Sequence, residues 1–118
     1  MNAKGLATFL GWFGIGLGLA QVLAPERIAR IAGLDVSPST MRAFGAREIA
    51  SGIAILIDER PRDPVWGRVL GDAVDIAALV AGLRSPESDK ARVTGALAAV
   101  GGVTSLDVLC AGGLTAAS

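Results

Sequence analysis

The chain has 118 residues, 52% of them hydrophobic, a mean hydropathy of +0.55, and eleven basic against eleven acidic residues, so its formal net charge is zero. That length makes one domain, and a neutral chain without a basic stripe gives no electrostatic case for nucleic acid. The absence of histidine excludes Ser-His and Cys-His nucleophile pairs and His-ligated haem.

The first predicted helix runs from Lys4 to Ala24 and is apolar apart from Thr8 and Gln21. About 20 such residues cross a bilayer core. The run is longer than the apolar stretch of a signal peptide and similar segments follow it, so it reads as a retained membrane helix. Gly14-Ile15-Gly16-Leu17-Gly18 resembles a dinucleotide loop, but the third glycine of that fingerprint falls on Leu19 and no strand precedes it. Gly11, Gly14 and Gly18 instead share one side of the helix as small-residue packing positions. Pro25 to Ala32 reads as a short amphipathic helix at the membrane interface, opened by proline and Glu26 and closed by Gly33.

Ser37-Pro38 caps a second long helix that extends to Ile57. Arg42, Arg47 and Glu48 lie in its first half, so it must turn that face toward protein or water. A polar loop, Asp58-Glu59-Arg60-Pro61-Arg62-Asp63, leads to a third helix over about 64–83, with Trp66 at the interface and Gly67 and Gly71 as a second packing pair. Ser85-Pro86-Glu87 opens a fourth, about 86–111, apolar from Val93 and ended by Gly112-Gly113, with frayed small residues beyond. The lone Cys110, in an apolar helix, reads as a buried structural thiol. Residues 1–118 thus form one all-α domain, a four-helix transmembrane bundle with up-down-up-down topology and a short amphipathic helix after the first span. A soluble bundle is disfavoured because the first and last helices have almost no polar face.

The informative feature is charge inside apolar helices. Counted at about 1.5 Å per residue, Arg47 and Glu48 lie level with Asp72 and Asp75, roughly 12–17 Å from the end that holds the N-terminus. Arg68 and Asp107 lie level with each other, nearer that end. Depth therefore predicts a central layer of Arg47, Glu48, Asp72 and Asp75 and a shallower Arg68–Asp107 layer, with Arg68 also able to reach Asp72 along its own helix. With Arg42 included, three cations face four anions. An unpaired charge at bilayer depth costs several kcal/mol, so one carboxylate shares a proton, with Asp72 and Asp75 the natural pair, or a cation or water-filled opening compensates. These seven residues are either a proton relay, ion site or polar ligand pocket, or a network that fixes helix register. No metal is expected, because the arginines compete for the carboxylates, and no cofactor loop is present.

The pattern Arg42-x-Phe44-Gly45-x-Arg47-Glu48-Ile49-x-Ser51-Gly52, then Trp66-x-Arg68-Val69-x-Gly71-Asp72-x-x-Asp75, then Thr104-x-x-Asp107 resembles small bacterial four-helix integral membrane proteins of unknown function. It is similar to the membrane region that precedes polyketide cyclase/dehydrase-like domains. The resemblance implies architecture, since no activity is established for that family; the sequence departs from the fused form by stopping at Ser118, so no enzymatic role of the partner domain is carried over. The expected role is a non-enzymatic accessory or scaffold subunit in a bacterial inner membrane, packing against another membrane protein or itself, with membrane lipids around it. The alternative is a small transporter or binder of a proton, ion or lipid-like ligand at the charged cluster. Arg27, Arg30, Arg84, Lys90 and Arg92 on one side outnumber Lys4, Arg60 and Arg62 on the other, which places both termini outside the cytoplasm.

Overall fold

A computed structural model of the protein describes residues 2–59, 61–86 and 88–117, which form five α-helices with no strand among them. α1 (Ala3–Leu23) opens where Asn2 Oδ1 accepts the Gly5 amide at 2.7 Å, an N-cap. α2 (Pro25–Ala32) has proline in its first turn, Glu26 at the positive end of the helix dipole and Arg30 near the negative end. It stops at Gly33, whose φ of 76° is the left-handed conformation that side chains disfavour. α3 (Pro38–Ile57) starts at Ser37, whose hydroxyl accepts the Thr40 amide at 3.2 Å. α4 (Arg62–Arg84) and α5 (Lys90–Ala117) complete the chain.

Three boundaries differ from the expected ones. α5 begins at Lys90 instead of near Pro86, because Asp89 caps it: its Oδ1 accepts the Arg92 amide at 3.2 Å. Asp89 is itself anchored by its own amide, which donates to the Gly33 carbonyl at 2.9 Å. α5 then passes through Gly112-Gly113 and reaches Ala117, so the turns after the glycines are helical rather than frayed. They have tertiary partners, with Leu114 packed on the core and Thr115 Oγ1 accepting from Trp66 Nε1 at 2.9 Å. α4 starts at Arg62, ahead of Pro64, since a proline in a first turn has no amide to satisfy. Arg60, Glu87 and Ser118 lie outside the described residues.

The long helices alternate in direction. Gly11 faces Gly52 and Gly18 faces Gly45, so α1 and α3 are antiparallel. Trp66 meets Thr115 and Gly82 faces Val93, so α4 and α5 are as well. These two pairs make the closest packing. The α1–α3 contact is close because glycine meets glycine: a Cβ at Gly18 would stand 2.5 Å from the Gly45 carbonyl oxygen, and one at Gly52 would stand 2.5 Å from the Gly11 carbonyl oxygen.

Along its 46 Å long axis the bundle has three zones. Ala7, Leu10, Ile55, Val65, Cys110 and Ala111 form an apolar core at the end holding Ala3 and Thr115. The charged side chains occupy the middle. α2 and the 85–89 connection close the other end, tied together by Asp89 and by Arg92 Nη1, which donates to the Arg30 carbonyl at 2.9 Å.

Polarity is inverted relative to a water-soluble bundle. Glu48, Arg68, Asp72 and Asp107 are buried, while Trp12, Leu23, Ile57, Leu70 and Leu109 stand outward, Leu70 at 72% exposure and Leu109 at 69%. Two helices, Ala3–Leu23 and Lys90–Ala116, are long and apolar enough to cross a membrane.

Candidate functional site

The charged side chains form one chain of contacts, not two layers. Arg68, 3% exposed, is its centre. Its Nε donates to both oxygens of Asp107 at 2.9 and 3.1 Å, and its Nη1 donates to Glu48 Oε2 at 3.1 Å. Glu48 Oε1 accepts from Arg47 Nη2 at 3.4 Å, and the same Nη2 donates to Asp75 Oδ1 at 2.6 Å. Arg47 Nη1 also donates to the Gly71 carbonyl at 3.0 Å. The order Asp107–Arg68–Glu48–Arg47–Asp75 thus crosses from α5 through α4 and α3 and back to α4. Arg68 bridges the two expected layers because its guanidinium is long enough to serve neighbours on two other helices at once.

Two expected members have other partners than the ion pairs. Arg42 is exposed, and its Nε donates to the Val22 carbonyl at 3.4 Å at the end of α1. It lies outside the network, so two guanidinium groups, not three, face Glu48, Asp72, Asp75 and Asp107. Asp72 is 3% exposed and makes no ion pair within α4 with Arg68, which reaches across to α3 and α5 instead; its carboxyl meets that of Asp107 at hydrogen-bond distance. Asp72 Oδ2 is buried without a hydrogen-bond partner among the described residues. Among those residues no three acidic or cysteine side chains gather as a metal-holding group. Cys110 is buried, with its thiol donating to the Ala3 carbonyl at 3.3 Å.

The glycines named from the sequence divide by role. A Cβ at Gly14 would stand 2.6 Å from Arg68 Nη1, so Gly14 makes room for a guanidinium as well as for α3. Gly71 does the same for Arg47, at 3.3 Å. Gly18 is a helix-packing contact with α3. Gly67 has open space in front of it and packs on no other element among the described residues. Aromatic rings complete the seats of both arginines: Phe13 lies 5.8 Å from the Arg68 guanidinium carbon and Phe44 lies 5.4 Å from that of Arg47.

Sequence reasoning missed Gly45 and Gly52, although their seven-residue spacing repeats that of Gly11 and Gly18 on the facing helix. It also missed Gln21, whose side chain turns inward: Nε2 meets the Met41 sulfur at 3.4 Å and Oε1 is buried without a partner among the described residues. The chain's one glutamine in an otherwise apolar helix was the available signal.

The contrast between Asp72 and Asp107 makes a test. Asp107→Asn removes the charge that holds Arg68 and is expected to lower stability clearly. Asp72→Asn removes a carboxylate with no cation of its own and supplies an amide donor, so it is expected to leave stability unchanged or raise it. Detergent-unfolding midpoints of the two variants check this; equal losses would place Asp72 among the ion pairs.

No protein-family model, no curated protein and no solved structure matches this chain. What it does is therefore read from its own geometry.

Proposed function

We propose that the chain is a non-enzymatic integral membrane protein of four spans that serves as a packing subunit for a membrane partner, either a second copy or another membrane protein. Two of its helices meet the length and hydropathy of a span on their own. α4 falls short only because its charges point inward: its exposed residues from Trp66 to Ala81 are Trp66, Gly67, Leu70, Ala73, Val74, Ala77, Val80 and Ala81. The exposed residues of α3 from Ala43 to Ile57 are all alanine or isoleucine. Charge inside and aliphatic side chains outside suit a hydrocarbon solvent. The 46 Å long axis also matches a bilayer of about 40–45 Å with its headgroups. Glu48 and Asp107 are engaged by arginine, which suits a structural network better than acid–base chemistry.

The observation that carries the packing role is the outer face of α5. Ala91, Gly95, Ala98, Gly102 and Ser105 are exposed at alternating spacings of four and three, and among the described residues no other part of the fold lies within 4 Å of a Cβ built on Gly95 or Gly102. A seam of small residues at that spacing lets another helix approach closely, which is how helices associate where lipid removes the hydrophobic drive. Arg27, Arg30, Arg84, Lys90 and Arg92 gather at the α2 end, which we assign to the cytoplasm of a bacterial inner membrane.

Ser105→Cys, in a Cys110→Ala background, tests the seam. Oxidative cross-linking in native membranes is expected to give a species of twice the chain's mass or a conjugate with one defined membrane protein. Monomer alone, with Ser105→Cys still open to a thiol reagent, would overturn the proposal.

A further inference from the structure

A half-open cavity of about 150 Å³ lies beside the charged network, lined by residues of α1, α2, α3 and α4 with Val100 of α5 at its edge. That is the size of a cavity that holds a benzene-sized guest. Its walls include Leu17, Ile28, Met41 and Leu79. Its polar groups are Gln21, Glu48 and Asp75, and neither Arg47 nor Arg68 is among the lining residues.

We infer that this cavity is a binding site for a small organic monocation with an apolar body, an alkyl- or arylammonium ion of about six to eight non-hydrogen atoms. The buried polar atom at the cavity that lacks a partner among the described residues is an acceptor, Gln21 Oε1. Gln21 directs Nε2 to the Met41 sulfur, which leaves Oε1 buried and without a partner among the described residues. Asp75 gives Oδ1 to Arg47, and no partner of its Oδ2 occurs among the described residues. A ligand must supply donors to meet both, and a hydrocarbon would leave the Gln21 oxygen orphaned. Charge decides which donor. Glu48, Asp72, Asp75 and Asp107 stand against two guanidinium groups, and Asp72 makes no ion pair with either of them among the described residues, so acidic groups outnumber arginines here. A monocation against Glu48 and Asp75 lowers the negative excess, whereas an anion would enlarge it. The apolar walls select against a bare alkali ion, which would need several more oxygen ligands than Gln21, Glu48 and Asp75 offer. The site is separate from the packing seam on α5, because neither Gly95 nor Gly102 lines it.

The test uses the full chain in phosphatidylcholine nanodiscs with benzylammonium, benzyl alcohol and benzoate as probes of one size and three charges. Calorimetric titration is expected to show saturable one-to-one binding of benzylammonium, at least tenfold weaker binding of benzyl alcohol and none of benzoate. Asp75→Asn is expected to weaken benzylammonium at least tenfold. Ala78→Leu, which fills the cavity from α4 without touching an ion pair, is expected to abolish binding, with its unfolding midpoint showing that the fold survives. Benzyl alcohol binding as tightly as benzylammonium, undiminished binding to Ala78→Leu, or no saturable binding of the ammonium would each overturn the inference. If Asp75→Asn does not fold, Ala78→Leu and the three-probe comparison carry the decision.

Discussion

Arg68→Met is expected to destabilise the protein by about 3–5 kcal/mol, the range for removing one partner from a buried ion pair. Methionine fills much of the same volume, so the loss is electrostatic. Asp107 loses both of its hydrogen bonds from the guanidinium, and Glu48 keeps only the longer contact with Arg47 at 3.4 Å. Two carboxylates then remain in the interior beside Asp72, which already lacks a cation. The same reasoning predicts strong non-additivity. The triple variant Glu48→Gln, Arg68→Met, Asp107→Leu removes the charges together and is expected to be far closer to the parent than Arg68→Met alone. Titration with sodium dodecyl sulfate from mild detergent, followed by Trp12 and Trp66 fluorescence, measures both. If the triple variant is as unstable as the sum of its single changes, the interior is not a mutually dependent network and Arg68 acts through packing alone.

The inward charges were legible in the sequence because two quantities are nearly fixed: the rise per residue of a helix and the short reach of the connections. These were enough to set Arg47 beside Asp75 and Arg68 beside Asp107 before any coordinates. Angular position was legible too, but was not used for Arg42. Five residues separate it from Arg47, which turns it about 140° around the helix and out of the network. The fate of Asp72 was not legible. Its spacing from Arg68 permits an ion pair along α4, and only the competing carboxylates of two other helices draw the guanidinium away. Gly14 and Gly71 read as small-residue packing positions, yet both face guanidinium groups, since a glycine near an arginine looks the same in sequence whether it receives a backbone or a side chain. The cavity was invisible for a related reason. α2 folds back over the bundle end through Gly33 and the Asp89 amide, a contact between segments more than fifty residues apart that no local pattern announces.

Gly18→Ala and Gly16→Ala are expected to change stability in opposite directions although the two residues are only two apart. Alanine is the better helix former by up to about 1 kcal/mol, and at Gly16, which is exposed with nothing among the described residues within 4 Å of a built Cβ, that gain stands alone. At Gly18 the same methyl would lie 2.5 Å from the Gly45 carbonyl oxygen, 2.7 Å from Ile49 Cγ1 and 3.0 Å from the Ile49 amide nitrogen. Two of those atoms belong to backbone and cannot rotate away, so α1 and α3 must part. Over-packing of this kind costs about 1–3 kcal/mol, more than the propensity gain. The displacement has a second consequence one turn away. Gly14 holds the floor under Arg68 Nη1 and touches Glu48, so separating α1 from α3 opens the Arg68–Glu48 contact to competition. Gly18→Ala should therefore lose stability beyond simple crowding, and part of that loss should disappear in the Glu48→Gln, Arg68→Met, Asp107→Leu background, where no ion pair depends on the helix spacing. The same detergent titration on the parent, Gly16→Ala, Gly18→Ala, the triple variant and Gly18→Ala in the triple background decides it. A Gly18→Ala variant as stable as Gly16→Ala would mean that α1 and α3 are not in glycine-to-glycine contact, and a full loss in the uncharged background would mean that the helix pair and the charge network are uncoupled.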